Sequence, residues 1–243
     1  MTLVLEQVSM AFGSIIVADR IDLQVGDGEA LGIIGPNGAG KSTLFNLITG
    51  VLQPHSGSIC LDGRDILRDS PRQRCRKGIA RAFQIPHPFE GLTVFENLLV
   101  AASFGRVGEG KWRGERSVAL DCAQLLEQTG LIRKANRLAG SLNLLERKRL
   151  EMARALATKP RLLLLDEIAG GLTEGECGEL VAMIKDVHRT GISIVWIEHI
   201  VHALLAVVDR LVVLNFGRKI SEGEPHAVMN SALVREIYMG IEA

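Results

Sequence analysis

No uninterrupted apolar run in the 243 residues approaches the roughly 18 that a membrane span requires, and Met1 to Glu6 lacks the basic-then-apolar order of an export signal. The chain is therefore expected neither to cross a membrane nor to be exported. Net charge is also missing: 28 Lys+Arg cancel 28 Asp+Glu, which removes any global attraction to nucleic acid or anionic lipid and leaves such partners only local patches to meet. The four cysteines, Cys60, Cys75, Cys122 and Cys177, form no C-x-x-C pair, which fits a reduced cytoplasmic compartment. There is no internal repeat and no low-complexity tract. With 47% hydrophobic and 23% charged residues the composition is that of a folded soluble protein and excludes disorder as the main description. A chain of this length buries enough core to need neither disulfides nor a structural metal.

Short apolar runs bounded by Gly or charged residues, namely Leu31 to Ile34, Leu162 to Leu165, Ile192 to Ile197 and Leu211 to Leu214, read as strands buried on both faces. Helical patterns lie between them, at Lys41 to Thr49 before Gly50, Arg147 to Thr158 before Lys159-Pro160, and Glu176 to Arg189 before Gly191. This alternation predicts an α/β fold with a mostly parallel sheet. Leu3 to Val8, Ile15 to Val17 and Ile21 to Val25 look instead like antiparallel strands, and with Gly57 to Leu61 they predict a small β layer beside the main sheet. From about Ile85 to Pro160 helical signals dominate. Thr93-Val94-Phe95-Glu96 is a capping box that starts a helix running to about Ser103. Gly105 to Gly114 reads as an exposed loop.

Gly35-Pro36-Asn37-Gly38-Ala39-Gly40-Lys41-Ser42 fits G-x-x-x-x-G-K-[ST] completely, after a strand and before a helix. The glycines let backbone N–H groups turn inward around phosphate oxygens, and the helix beginning at Lys41 aims its positive dipole end at the same charge. Lys41 offers a point charge to the β and γ phosphates, and Ser42 a hydroxyl to Mg²⁺. These eight residues and Thr43 are the expected phosphate contacts, and they call for ATP and Mg²⁺ as ligands. A second acidic element follows the Leu162 to Leu165 strand, where α/β sheets place their ligands. Asp166 is expected to bind the metal through water, and Glu167 to polarise the attacking water.

In this order of motifs the chain resembles the nucleotide-binding subunit of an ABC transporter, nearly end to end. The resemblance implies a P-loop NTPase core formed by residues 1–84 and 161–243 with its β layer, an inserted helical subdomain at 85–160, and a single ABC ATPase domain overall. It makes Phe12 the aromatic residue that stacks on adenine, Gln84 the glutamine that contacts Mg²⁺ and water and hinges the helical part, and His199 the switch histidine at the γ-phosphate. Glu198-His199-Ile200-Val201-His202 is not H-E-x-x-H and brings no third ligand, so zinc is not indicated. Within the family, Phe89 to Ala101, Arg147 to Leu156 and Val234 to Gly240 are most similar to the ATP-binding subunits of branched-chain amino-acid uptake systems. That similarity implies ATP hydrolysis driving uptake of a small amino acid or amide. The partners implied are transmembrane permease subunits, a second ABC ATPase subunit and, indirectly, an external solute-binding protein. The implied location is cytoplasmic, peripheral on the inner face of the cell membrane.

The pattern breaks at the signature segment. Where the family has L-S-G-G-Q, this chain has Leu142-Asn143-Leu144-Leu145-Glu146, so Asn143 stands at the position of the Ser that meets the opposite subunit's γ-phosphate. Leu144 and Leu145 add bulk where backbone normally approaches closely. Asn143 and Glu146 also have capping-box spacing, which directs their side chains to the helix donors. Ile168 replaces a usual Pro, and Thr173 the usual Asp of the D-loop. With Glu167 and His199 intact, the pattern predicts an asymmetric heterodimer in which this chain's own phosphate loop serves the stronger site. Arg64 to Arg81 holds seven basic residues, and without interleaved aromatics it reads as a solvated basic face or one near lipid headgroups rather than a nucleic-acid site. The alternatives are a soluble ABC ATPase and a non-hydrolysing nucleotide-dependent regulatory subunit; the single cassette argues against the first and Glu167 against the second.

Overall fold

The structure, a computed structural model, describes residues 2–105 and 114–239. The strands are β1 (Leu3–Phe12), β2 (Ile15–Val25), β3 (Ala30–Ile34), β4 (Ser56–Leu61), β5 (Arg64–Asp65), β6 (Ile79–Ala82), β7 (Leu162–Asp166), β8 (Ser193–Ile197), β9 (Arg210–Asn215) and β10 (Arg218–Gly223). The helices are α1 (Lys41–Thr49), α2 (Pro71–Arg76), α3 (Val94–Phe104), α4 (Glu115–Gln128), α5 (Leu144–Ala157), α6 (Glu174–Arg189), α7 (Val201–Leu205), α8 (Pro225–Asn230) and α9 (Ala232–Met239). One sheet has the order β10-β9-β3-β8-β7-β6 and is parallel from β9 to β6, with β10 antiparallel at its edge. The other, β2-β1-β4-β5, is antiparallel. The fold is therefore the α/β architecture with a small β layer that the sequence predicts.

The parallel strands read as continuous apolar runs because both faces are covered. Leu162 and Leu164 of β7 enter a core shared with β1, β2 and α1, while Leu163 and Leu165 enter the opposite core under α5 and α6. Each such fully buried leucine contributes about 1.5–3 kcal/mol of transfer free energy. A third cluster joins Val94 and Leu98 of α3, Cys122 and Leu126 of α4, and Leu150 and Ala153 of α5. Burial in it, reinforced by the neighbouring Asp121 charge, pushes the Cys122 thiol up to about 11, which leaves it unreactive.

Several boundaries differ from expectation. Ile15 to Val25 is one strand rather than two, and β1 continues past Val8 to Phe12. Register shifts in the β1–β2 pairing and a positive φ of 49° at Arg20 absorb the polar interruption without ending the ladder. The Arg20 N–H donates to Ser9 Oγ at 3.0 Å in place of a strand partner. Helix α5 begins three residues before Arg147, at Leu144, because Asn143 caps it. Helix α6 begins at Glu174, because Thr173 and Glu176 form another capping box. The predicted helix at Lys41 ends as expected, with Gly50 in the left-handed conformation (φ 78°). Of the loop expected at Gly105 to Gly114, residues 106–113 lie outside the described residues.

The basic segment Arg64 to Arg81 is not a solvated face throughout. Arg74, on α2, is wholly buried. Its guanidinium donates to the carbonyls of Leu47 (2.6 Å) and Ile48 (2.9 Å) at the end of α1, and to those of Leu67 (3.0 Å) and Asp69 (3.2 Å). A helix leaves its last carbonyls without intrahelical donors, and here one side chain serves two of them. Replacing Arg74 by Ala strands several buried acceptors at about 1–3 kcal/mol each, so a loss of about 3 kcal/mol is expected, read as a lower urea midpoint.

Candidate functional site

Four neighbouring parallel strands, β3, β8, β7 and β6, end along one edge of the sheet, in a register that pairs Ile33 with Ile197, Asp166 with Ile197, and Ala82 with Leu165. From these four ends run the Gly35–Ser42 loop, His199, the Asp166–Glu167 pair and Gln84. The edge thus gathers residues that are far apart in the chain.

The loop hugs its surroundings. Gly35 has no room for a β-carbon, which would lie 2.3 Å from the Leu214 carbonyl oxygen. Gly40 is in the left-handed region at φ 98°, and a β-carbon there would meet the Val17 carbonyl oxygen at 2.2 Å. Gly38, at φ 81°, faces open space, and Asn37 beside it is exposed. The Gly217 N–H donates to the Ala39 carbonyl at 3.1 Å and anchors the loop to the β9–β10 turn. Lys41 is buried and folds back over the loop, its ammonium donating to the carbonyls of Gly35 (2.7 Å) and Pro36 (3.0 Å). Burial lowers its pKa, while the charges of Glu167 and Asp166 pull it back up, which places both carboxylates within electrostatic reach of the loop. Ser42 is exposed and Thr43 half-buried at the first turn of α1.

Glu167 sits just past β7 with a positive φ of 46°, an uncommon conformation for a residue with a β-carbon. Its backbone N–H donates to the Ile197 carbonyl at 2.8 Å, which ties it to β8. Its carboxylate is gripped from two sides: Gln84 Nε2 donates to Oε2 at 2.7 Å, and His199 Nε2 lies 2.8 Å from Oε1. Gln84 is itself held from below, since buried Lys148 on α5 donates to its carbonyl at 2.9 Å. Glu198, 1% exposed, is a further carboxylate of the cluster. It accepts from the N–H groups of Ala169 (3.0 Å) and His199 (3.0 Å), and so fixes the segment after Glu167 to the one that carries the histidine. Sequence reasoning weighed Glu198 only as a zinc ligand and gave Lys148 no role; Glu198 is signalled by its place straight after the apolar run of β8, whereas Lys148, between Arg147 and Arg149, carries no signal.

Asp166 is nearly buried and forms an ion pair with Arg81 of β6, whose guanidinium also donates to Asn46 Oδ1 of α1 at 2.7 Å. Phe12 is half-exposed at the tip of the β1–β2 hairpin, paired with Ile15, and Val17 of the same hairpin reaches the loop at Gly40. Asn143 lies elsewhere, at the start of α5. It closes its capping box, accepting from the Glu146 N–H at 2.9 Å while Glu146 Oε2 accepts from the Asn143 N–H at 3.2 Å. Leu144 is exposed and packs toward Gly171.

A strand–loop–helix turn rich in backbone donors, with paired carboxylates at the next strand but one, defines a P-loop nucleoside triphosphatase. Residues 18–170 match the ABC transporter family. The chain belongs to that family and is one of its ATP-binding cassettes. Over 95% of its length it is 37% identical to the high-affinity branched-chain amino acid transport ATP-binding protein LivG of Salmonella typhimurium, of which 94% is covered. It is 35% identical to BraF of Pseudomonas aeruginosa, named for the same transport, with 96% of this chain and 95% of that protein covered. Among solved structures it is similar to the ADP conformation of MJ1267, an ATP-binding cassette of an ABC transporter, with a TM-score of 0.89 and 32% identity over 99% of this chain and 100% of that one.

A Gly40→Ala substitution drives a β-carbon against Val17 and forces a strained φ at about 1–3 kcal/mol. Nucleotide affinity is expected to fall roughly tenfold to a hundredfold while the fold is retained, read by titration with a fluorescent ADP analogue.

Proposed function

We propose that the chain is an ATP-hydrolysing subunit of an importer for branched-chain or related amino acids or amides, acting with permease subunits and a second ABC ATPase subunit, peripheral on the cytoplasmic face of the membrane. The observation that carries the hydrolytic reading is the Glu167 carboxylate held by Gln84 and His199 beside the phosphate loop. The solute class rests on the transport for which LivG and BraF are named.

In this reading Gly35, Pro36, Asn37, Gly38, Ala39 and Gly40 present backbone donors to the phosphates, and Lys41, Ser42 and Thr43 complete the cradle. Lys41 gives up its bonds to the Gly35 and Pro36 carbonyls in exchange for phosphate oxygens. Phe12 stacks on the base from the exposed hairpin tip. The oxygens of Ser42, Asp166 and Gln84 are the hard donors that magnesium takes, so the donor set fits that ion. Bound there, Mg²⁺ would neutralise charge on the β and γ phosphates. Glu167 then orients and polarises the attacking water as general base, and His199, whose Nε2 must carry the proton to bond Glu167, presents that proton to the γ-phosphate.

Residues 1–84 and 161–243 form the nucleotide-binding core in this reading, and residues 85–160 the moving helical part. Lys148 ties α5 to Gln84, so a shift of Gln84 on phosphate binding travels into the helices. The segment after Gln84 is the docking candidate for a permease: Ile85 and Phe89 are exposed, while Arg154 stacks on the Phe89 ring and donates to the His87 carbonyl at 2.8 Å.

The partner supplies the signature to this chain's nucleotide, and this chain supplies Asn143 to the partner's. With Asn143 and Glu146 occupied in capping α5, the reciprocal site is the weaker one. In the assembled complex Glu167→Gln is expected to lower steady-state MgATP turnover by about 10²–10⁴-fold with nucleotide binding retained. If the equivalent substitution in the partner subunit does all the damage instead, the assignment of the stronger site is overturned.

A further inference from the structure

Asp166, the carboxylate that the reading above gives to magnesium, already carries a cation. Arg81 lies on the neighbouring strand β6, directly beside β7 in the pairing of Arg81 with Leu164. Its Nη2 pairs with Asp166 Oδ2, and both side chains are only 9% exposed. Its Nη1 donates to Asn46 Oδ1, one helical turn beyond Ser42 on α1. The guanidinium lies over the Phe83 ring at 4.7 Å and the Phe45 ring at 5.5 Å, two faces that attract a cation. Its buried Nε has no hydrogen-bond partner among the described residues. The group is thus fixed by one carboxylate, one amide and two aromatic faces, without being saturated.

We propose that Arg81 is a positioning residue that serves as the resident counter-charge of Asp166, so that a divalent cation enters the site only together with nucleotide phosphates. The physical reason is charge balance. A buried, unpaired carboxylate is costly in a nucleotide-free site, and it would draw in any free divalent ion. Arg81 removes that cost and that attraction together. When nucleotide arrives, its phosphates bring enough negative charge for the metal to be held beside the guanidinium. Because Asn46 and Ser42 share a face of α1 one turn apart, the same guanidinium also sets the metal carboxylate at a fixed height below the phosphate-loop helix.

The proposal rests on Asp166 serving the metal, and the test separates the two claims. Arg81→Met keeps the apolar stem between the phenylalanine rings and removes the charge. In nucleotide-free protein, Mn²⁺ binding followed by electron paramagnetic resonance is expected to tighten at least ~tenfold over wild type, from the loss of one nearby positive charge. The variant's unfolding temperature is expected to rise on adding millimolar Mg²⁺, while that of wild type stays constant. A guanidinium that merely packed the β6–α1 contact would leave metal affinity unmoved and give no Mg²⁺-dependent recovery, and that result overturns the proposal. Should Arg81→Met fail to fold, Asn46→Ala loosens the guanidinium from its other side and is expected to raise nucleotide-free Mn²⁺ affinity ~threefold; no change there overturns the proposal equally. Asp166→Asn is the control for the underlying reading: if it leaves Mn²⁺ affinity in the presence of ADP unaltered, Asp166 is not the metal carboxylate and the site assignment itself fails.

Discussion

Because β6, β7, β8 and β3 are hydrogen-bonded in parallel register, Gln84, Asp166–Glu167, His199 and the phosphate loop leave the sheet side by side, and everything at the site depends on that row. The row concentrates negative charge: Asp166, Glu167 and Glu198 lie within a few residues of two adjacent strand ends. Water is largely excluded from Asp166 and Glu198, so each carboxylate must be compensated within the fold. Every compensating group comes from a different element. Arg81 arrives from β6, Lys41 from α1, Lys148 from α5, and His199 from beyond β8. The backbone N–H groups of Ala169, His199 and Ile200 serve Glu198. Charge balance therefore binds the phosphate loop, the edge strand and the helical region to one carboxylate cluster, and a change in charge at the loop is felt by all of them.

The phosphate loop, the acidic pair and the buried strands were legible because each is a contiguous pattern whose physics is local: glycine for close approach, apolar runs for two-sided burial, cap residues at fixed spacing. Thr93 and Glu96 could be read off the chain for the same reason. The failures share a different character. Arg74 and Arg81 fall in a run of basic residues, and composition alone assigns such a run to solvent. What pulls them inside is a set of acceptors distant in sequence, the carbonyls at the end of α1 for Arg74 and the Asp166 carboxylate for Arg81. No spacing rule reports them. The division of β2 into two strands failed similarly, since Asp19, Arg20 and Asp22 look like a break until the bulged pairing with β1 accommodates them.

The signature segment shows the limit from the other side. The sequence alone pointed to a capping box at Asn143 and Glu146, and the geometry contains it, with Lys134 holding Glu146 as well. Burial, the largest single influence, opposes ionisation of Glu146, but the hydrogen bonds from Lys134 and the Asn143 N–H and the charges of Lys134 and Arg137 together outweigh it, so its carboxyl titrates below the ordinary range and the cap stays charged at neutral pH. In a capping box each side chain satisfies a backbone donor of its own helix, so two donors at the start of α5, those of Asn143 and Glu146, are already taken. A helix start with two donors already taken presents less to a phosphate than one whose donors all remain open. Leu144, lying against Gly171, adds a side chain where a bare backbone would permit close approach.

This trade has a consequence for how energy passes through a dimer. In the proposed dimer, if ordering of the α5 start depends little on nucleotide, closure onto the partner's nucleotide would gain less from that turn, and the differential affinity that drives closure would fall mainly to the other interface. The Glu167 side of the chain shows the opposite economy. Its positive φ, its N–H bond to Ile197 and its two side-chain partners hold the carboxylate in one place before any ligand arrives, which is what preorganised catalysis requires. The Glu167 segment is thus held ready for the proposed chemistry and the start of α5 is built for stability, and that internal difference, more than any single substitution in the signature, is the physical ground on which the proposed asymmetry rests.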